Sequence, residues 1–246
     1  MMLRRALAVA VLLAAPAAAR AQATVDPRQT GPQLPYARFA ITPFVGMVVP
    51  SSTGEAHLFA ASEDVSITSV RRERGGAMLA GAEAEYRFAR QWSAVGGAAI
   101  SARGNDAFTF TTNGTSAEPL EGRGDRFTFA KLGVSYRIPD PVNDSRRFHP
   151  GGFVVVAPAL VHLDREGMSS VNSPALNVGI AATAPVGRSR RLAFQLGLDD
   201  YLTFWDTDKL EAQDALLYAT DGPVTVVYDY STSNIFTLRL GGSFRF

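Results

Sequence analysis

The sequence predicts an all-β protein that forms an eight-stranded antiparallel transmembrane barrel of the up-and-down type. Two patterns within the chain predict this fold: segments of about ten residues alternate between an apolar and a polar face, and the connections between them alternate in length. A third observation is a secretory signal at the beginning of the chain. A barrel with ten strands is the nearest membrane-spanning alternative.

The first residues predict export from the cytoplasm. Arg4 and Arg5 precede an apolar run over 6–15, and Ala19 and Ala21 flank a small-x-small cleavage site before Gln22. The run is shorter than the roughly 20 residues that a membrane-spanning helix needs. Residues 1–21 are therefore predicted to be a signal peptide, 22–38 a proline-containing periplasmic leader and 39–246 the barrel.

The composition excludes several other classes of protein. The chain has no cysteine, so it has neither a disulfide framework nor thiol chemistry. Its net charge of +1 argues against nucleic acid as a partner. The mean hydropathy is +0.03, and beyond the signal no apolar run reaches the length of a membrane-spanning helix.

Period-two alternation predicts each strand in turn. The second strand, for example, places Met78, Ala80 and Ala82 on one face and Gly81, Glu83 and Glu85 on the other. Pro43 and Pro158 lie inside the first and fifth strands, where proline weakens the prediction. The predicted strands cover 39–49, 78–88, 92–103, 126–138, 153–163, 176–184, 192–199 and 236–246.

The connections between these strands alternate in length. The short ones are 89–91, 139–152 and 185–191, and the long ones are 50–76, 104–125, 164–173 and 204–233. Short periplasmic turns and long extracellular loops are typical of outer-membrane barrels. Both ends of the barrel domain are then expected on the periplasmic side.

The last strand carries a family resemblance. Phe236, Leu238 and Leu240 begin an apolar face that continues through Phe244 to the C-terminal Phe246, while Arg239 and Arg245 lie on the opposite face. This segment resembles the terminal strand of bacterial outer-membrane β-barrels, and the whole mature chain resembles small barrels of the OmpA, OmpX and OmpW kind. The resemblance implies that Phe244 and Phe246 form an assembly signal, read by the barrel insertion machinery. It also implies passage through Sec and the periplasm to the outer membrane of a Gram-negative-type bacterium.

The position of the charges predicts which face is inside. A lipid-facing Arg or Lys near the membrane midplane costs about 2–4 kcal/mol, so the charged face belongs in the lumen. A soluble, lipocalin-like barrel has its apolar face inward and is the alternative. Aromatic girdles are expected low at Tyr86, Phe88, Trp92, Tyr136 and Phe246, and high at Phe127, Phe129, Tyr201, Phe204 and Trp205. The predicted lumen charge network consists of Glu83, Glu85, Arg87, Arg103, Lys131, Arg137, Arg239 and Arg245.

Two other clusters contain residues of the types found in catalytic or metal-binding sites. His162, with Ser169 or Ser170 and the acids Asp164 and Glu166, could in principle form a catalytic set of an outer-membrane lipid-modifying enzyme. No motif surrounds it, and a rim histidine beside a polar loop is the favoured interpretation. A second group could bind a hard cation, but a solvated acidic loop is the favoured interpretation; it consists of Asp199, Asp200, Asp206, Asp208, Glu211 and Asp214.

The favoured function is therefore a structural or surface-binding barrel that acts through its long extracellular loops, because eight strands leave little lumen. A narrow channel for small or hydrophobic solutes is the alternative, and a lipid-modifying enzyme is the third hypothesis. The sequence predicts no cofactor, no metal and no enzymatic activity. The expected partners are outer-membrane lipid and lipopolysaccharide, with the insertion machinery during assembly, and the expected state is a monomer.

Overall fold

The structure, a computed structural model, describes residues 38–60, 68–89, 91–112, 115–138, 151–186, 191–218 and 224–246. The predicted signal peptide 1–21 lies outside the described residues, as does the predicted leader 22–38 apart from Arg38. None of the helices described is long and apolar enough to cross a bilayer.

Eight strands close into an antiparallel barrel. All eight predicted strands are present and neighbours in sequence are neighbours in the barrel, so the up-and-down prediction is confirmed and the ten-stranded alternative is wrong. The barrel strands are β1 (Phe39–Val48), β4 (Ala77–Arg87), β5 (Trp92–Ser101), β9 (Arg126–Arg137), β10 (Gly151–Asp164), β11 (Val171–Val186), β12 (Leu192–Phe204) and β14 (Thr232–Arg245).

Three of the four long connections, which the sequence analysis predicted to be loops, instead fold into a second layer that we call the cap. The cap elements are β2 (Ser51–Ala60), β3 (Thr68–Arg74), β6 (Asn105–Thr112), β7 (Thr115–Ser116), β8 (Leu120–Arg123), α1 (Thr207–Tyr218) and β13 (Val224–Tyr228). The cap strands form one six-stranded sheet in the order β13-β2-β3-β6-β7, with β8 also paired to β6. Helix α1 lies between β12 and β13 in the chain.

The cap has its own apolar core. Ala56 and Leu58 of β2, Val70 of β3 and Val226 of β13 are buried together. Ala215 of α1 packs against this cluster. The helix also ties the turn between β10 and β11 to the cap, because Gln213 donates to the backbone oxygen of Ser169 at 2.7 Å. The connections are therefore held by side-chain packing rather than lying free.

Alternation sorts the barrel side chains as predicted for a membrane barrel. In β12, Leu196 and Leu198 are exposed on the outer face, while Gln195 and Asp199 are buried inside. The same arrangement holds in β14, where Leu238 and Leu240 are exposed and Arg239 is buried. The apolar face points outward, which is the reverse of a lipocalin-like barrel.

The two prolines inside barrel strands each coincide with a gap in one ladder. Pro43 pairs with Ala82 of β4, but the ladder between β1 and β14 passes from Ile41 to Phe44. Pro158 likewise pairs with Leu176 of β11, while the ladder with β9 passes from Val156 to Ala159. Proline has no N–H to donate, so each strand keeps its full ladder on one side only.

Candidate functional site in the lumen and cap

Four charged side chains form a closed ring of ion pairs in the middle of the barrel, which we call the lumen quartet: Glu83, Lys131, Asp199 and Arg239. The Lys131 ammonium lies 3.1 Å from Glu83 and 3.0 Å from Asp199. The Arg239 guanidinium lies 2.9 Å from Glu83 and 2.6 Å from Asp199. All four side chains are at most 6% exposed, and the two cations together neutralise the two buried carboxylates.

Small neighbours make room for the lumen quartet. A Cβ on Gly197 would lie 2.8 Å from Nε of Arg239, and one on Gly179 would lie 2.3 Å from Oδ1 of Asp199. Asn177 completes the surroundings, because its Oδ1 accepts from Lys131 at 3.3 Å and its Nδ2 donates to Asp199 at 3.4 Å. The ring therefore fits because the facing positions of β11 and β12 carry glycine and asparagine.

Four of the other predicted lumen residues lie together near the barrel end that carries the short turns. Arg137 interacts electrostatically with Arg87, Glu85 and Arg245. Glu85 also accepts a hydrogen bond from Ser93 at 2.6 Å. Among the described residues, these three arginines surround a single glutamate.

The remaining predicted member, Arg103, does not join the lumen network. It lies beyond the end of β5 and donates to the carboxylate of Asp164 at 3.0 Å. This pair lies at the opposite rim, where β10 ends.

Asp199 is the member of the lumen quartet that is absent from the predicted lumen network: the predicted strand 192–199 ends on it, but the sequence analysis grouped it with the acids that follow. Strand β12 runs on to Phe204, so Asp199 lies within the barrel. Its position two residues after Gly197 and four after Gln195 places it on the inner face. That parity was the available signal.

Aromatic side chains close the lumen between the lumen quartet and the cap. Phe127 and Phe129 of β9 are 1% exposed, and Tyr201 of β12 is 5% exposed. The rings of Phe129 and Tyr201 have centroids 4.6 Å apart. The upper aromatic girdle is therefore wrong for these residues and for buried Trp205, although Phe204 is exposed as expected. We call Phe127, Phe129 and Tyr201 the aromatic plug.

A second set of buried ion pairs lies in the cap and continues into the rim, which we call the cap cluster: Arg72, Asp106, Asp125, Arg165 and Asp214. Arg72 pairs with both Asp106 and Asp125, and its Nη2 atom lies 2.6 Å from Oδ2 of Asp125. Arg165 contacts Asp214 at 2.7 Å and Asp125 at 3.7 Å. These ion pairs thereby connect β3, β6 and α1 of the cap to the rim at the end of β10.

The electrostatics of the cap cluster follow from this pairing. Burial alone would lower the pKa of Arg72, but Asp125 and Asp106 beside it raise that pKa above its ordinary value. The Tyr228 hydroxyl donates to Asp214, and burial together with this carboxylate raises the pKa of Tyr228. Arg72 and Tyr228 therefore keep their protons at neutral pH.

Three acids of the last connection make structural contacts. Asp206 caps α1 by accepting from the backbone N–H of Lys209 at 3.3 Å. Glu211 accepts from the backbone N–H of Tyr228 at 2.9 Å, and Asp214 is buried, so the solvated-loop interpretation is wrong for these two residues. Within the part of the chain that the structure describes, no cluster of three or more histidines and acids is arranged to hold a metal ion.

In the part of the chain that is described, the hydrogen bond of His162 goes to Asn172 and not to a serine or acid of the candidate catalytic set. Nδ1 of His162 lies 2.7 Å from Oδ1 of Asn172. The Ser169 hydroxyl instead accepts from Gln213 at 2.7 Å, and Asp164 pairs with Arg103. His162 is half-buried beside a polar turn, in accordance with the favoured interpretation of a rim histidine.

The C-terminal residue lies at the seam where the barrel closes. Phe246 and Phe39 exchange backbone hydrogen bonds of 2.8 and 3.3 Å. Their rings are 6.4 Å apart, and Phe244 and Phe246 are both exposed on the outer face. The role of Phe244 and Phe246 as an assembly signal stays a prediction.

Comparisons with known proteins give weak structural similarities. No protein-family model and no curated protein matches the sequence. The outer membrane protein OprG from Pseudomonas aeruginosa is similar with a TM-score of 0.48 and 15% identity, covering 85% of this chain and 95% of OprG.

Two further solved structures are similar over comparable lengths. Neisserial surface protein A, NspA, has a TM-score of 0.40 and 11% identity, covering 85% of this chain and 97% of that one. The outer membrane protease OmpT from Escherichia coli has a TM-score of 0.35 and 9% identity, covering 87% and 99%.

The fold follows from the strand pairing of this chain itself. Eight antiparallel strands in sequence order close the barrel, an apolar face points outward, and paired charges fill the interior. The chain thus has the architecture of a small outer-membrane β-barrel protein.

Proposed function

We propose that this protein is an integral outer-membrane barrel with a structural or surface-binding role, in which the cap is displayed outside the cell. The observation that carries the proposal is the cap itself. Its strands derive from three connections of the barrel, yet they share one sheet, one apolar core and one set of buried ion pairs. A folded surface of this kind suits binding better than gating, because binding surfaces are placed on rigid scaffolds.

The outer face of the barrel supports membrane insertion. Exposed apolar side chains recur along the barrel strands, among them Val45, Leu132, Ile180 and Leu240. A soluble monomer rarely exposes a continuous apolar band of this kind, whereas lipid chains cover it without cost. Outer-membrane lipid and lipopolysaccharide are the partners that we propose for this face and for the rim.

The interior supports a closed rather than a conducting barrel. The lumen quartet crosses the middle of the barrel, and the aromatic plug lies above it. The cavity between these two layers has a volume of about 10 Å³, which is at the lower limit for one water molecule. The narrow channel therefore finds no support in the lumen.

Conductance measurements test this proposal. The refolded mature protein is inserted into planar lipid bilayers in concentrated potassium chloride, with a general porin as the positive control. We expect no unit conductance steps, because the lumen quartet and the aromatic plug occlude the passage. Regular steps of uniform size, obtained with protein shown to be folded, would support the channel and refute the closed barrel.

A further inference from the structure

A cavity at the junction of cap and barrel contains an arginine whose charge has no ion-pair partner in the described structure. The cavity has a volume of about 40 Å³, and its lining includes Arg74, Trp205 and members of the cap cluster. Apolar walls are supplied by Leu163 and Leu210. The cavity is therefore partly open, and its lining combines charged and apolar groups.

Arg74 is the unusual group in this lining. It lies at the end of β3 and is 6% exposed. Its Nε and Nη1 atoms are buried and have no hydrogen-bond acceptor among the residues that the structure describes. The guanidinium lies 4.6 Å above the ring of Phe127, which stabilises the cation but accepts none of its N–H groups in the plane.

The acids near Arg74 are paired with other cations or neutral donors. Asp125 is bound by Arg72 and Arg165, and Asp214 is bound by Arg165 and Tyr228. Asp106 is bound by Arg72 and by the backbone N–H of Gly75. The cavity lining itself carries three arginines against two aspartates, and Asp106 outside the lining pairs with Arg72, so Arg74 is the arginine left without an ion pair in the described ranges of the chain.

This positive charge persists at neutral pH. Burial and the nearby Arg72 lower the pKa of Arg74 to about 10, which still leaves the group protonated at pH 7. A buried cation without an acceptor is costly unless a ligand or ordered water completes its hydrogen bonds. The cavity offers the space for such a group.

We propose that this cavity binds a small monovalent anion, either a carboxylate such as acetate or a halide such as chloride, with Arg74 as its anchor. Its volume of about 40 Å³ corresponds to about three water molecules, and so to a ligand of only a few non-hydrogen atoms. The inference is independent of the proposed surface role, because a site of this kind can exist in a conducting or a closed barrel.

Fluorescence of Trp205 tests the site directly. The chain has two tryptophans, so replacing Trp92 by Phe leaves Trp205, which lines the cavity, as the reporter. The folded mature protein is titrated separately with sodium acetate, sodium chloride and sodium sulfate, and the three responses are compared at equal ionic strength. We expect a saturable change in Trp205 fluorescence with at least one of the two monovalent anions. The salt that produces it shows whether the ligand is a carboxylate or a halide.

Substitutions on β3 provide the controls. Arg74→Gln should weaken binding at least tenfold, whereas Arg71→Gln should leave it within twofold, because the Arg71 side chain is 53% exposed on the same strand. Arg74→Met replaces Arg74→Gln if the latter fails to show the heat-modifiable, folded form. The bound anion should also raise the thermal unfolding midpoint of the parent and not that of the Arg74 variant.

Three results would overturn the proposal. The first is the absence of a saturable response to both monovalent anions, which would mean that water alone fills the cavity. The second is equal binding by the Arg74 variant and its parent. The third is a saturable response to sulfate of equal strength, which would assign the site to divalent oxyanions instead.

Discussion

Lys131 and Arg239 each contact both Glu83 and Asp199, so the lumen quartet is neutral only as a complete set. Taking charges out of water costs several kcal/mol per ion, and their mutual attraction compensates only when every partner is present. Removal of one member therefore exposes the desolvation cost of the others. The intact lumen quartet adds little net stability, but the loss of any one member is strongly destabilising.

Replacing Arg239 by Gln should destabilise the folded barrel. Lys131 would be left with two buried carboxylates, and breaking such a buried pair costs about 3–5 kcal/mol. Urea unfolding of the protein in lipid vesicles, followed by tryptophan fluorescence, measures the change.

A second substitution provides the control for Arg239→Gln. Adding Asp199→Asn restores neutrality with Lys131 and Glu83, so the double variant should be more stable than Arg239→Gln alone. A single variant with the same urea midpoint as the parent would show that the ion pairs of Arg239 contribute nothing to the barrel.

Parity decides which of these residues the sequence could predict. Glu83, Lys131 and Arg239 were placed in the lumen because they alternate with apolar neighbours. The same rule puts Phe127 and Phe129 on the face of Lys131, yet their aromatic character favoured a girdle at the membrane interface. Residue type and strand parity gave opposite predictions there, and parity was correct because a barrel strand cannot turn one residue outward without a bulge.

At the scale of the strand, proline and glycine occur as opposed pairs. Gly241 lies opposite the gap at Pro43, and a Cβ there would lie 2.6 Å from the backbone oxygen of Pro43. Gly133 has the same relation to Pro158, because a Cβ added at Gly133 would lie 2.3 Å from the backbone oxygen of Val156. The absence of a side chain lets the neighbouring backbone approach where the ladder is interrupted.

Gly241→Ala should therefore destabilise the closing seam. The added methyl group cannot avoid the backbone of β1, and overpacking of this kind costs about 1–3 kcal/mol. Gly242→Ala is a matched control on the next residue, because its Cβ would meet only an atom of Phe244 at 4.0 Å. Urea midpoints that shift equally for the two variants would contradict a close approach at Pro43.

The barrel strands were predictable because each carries several alternations in a row, whereas the cap strands were not. Strand β3 buries one apolar residue, Val70, among arginines, and it pairs with β6 from another connection. Such pairing leaves no local pattern. Two elements did carry signals that went unused: the β-branched run of β13 and the Asp206 cap before α1.

For the whole molecule, the two ends of the barrel should face different compartments. The natural chain has no cysteine, so a single introduced cysteine reports its own position. Leu216→Cys lies on α1, where the side chain is 82% exposed, and Ala89→Cys lies in a short turn at the other end.

On intact cells, a membrane-impermeant maleimide should label Leu216→Cys and should label Ala89→Cys only after the outer membrane is permeabilised. Both variants are expected to reach the same level of heat-modifiable protein, because both side chains are exposed. Labelling of Ala89→Cys alone on intact cells would invert the proposed orientation.

The cap core joins parts of the chain that are far apart in sequence. Leu58 and Val70 derive from the first long connection and Val226 from the last, and Phe108 packs on them from the one between. In a barrel with separate loops, each loop can change over generations without regard to the others. Here a larger or smaller side chain at Val226 requires an answering change in β2 or β3, so the surface regions of this protein have to evolve together, while the outward-facing positions of the same strands are free to drift.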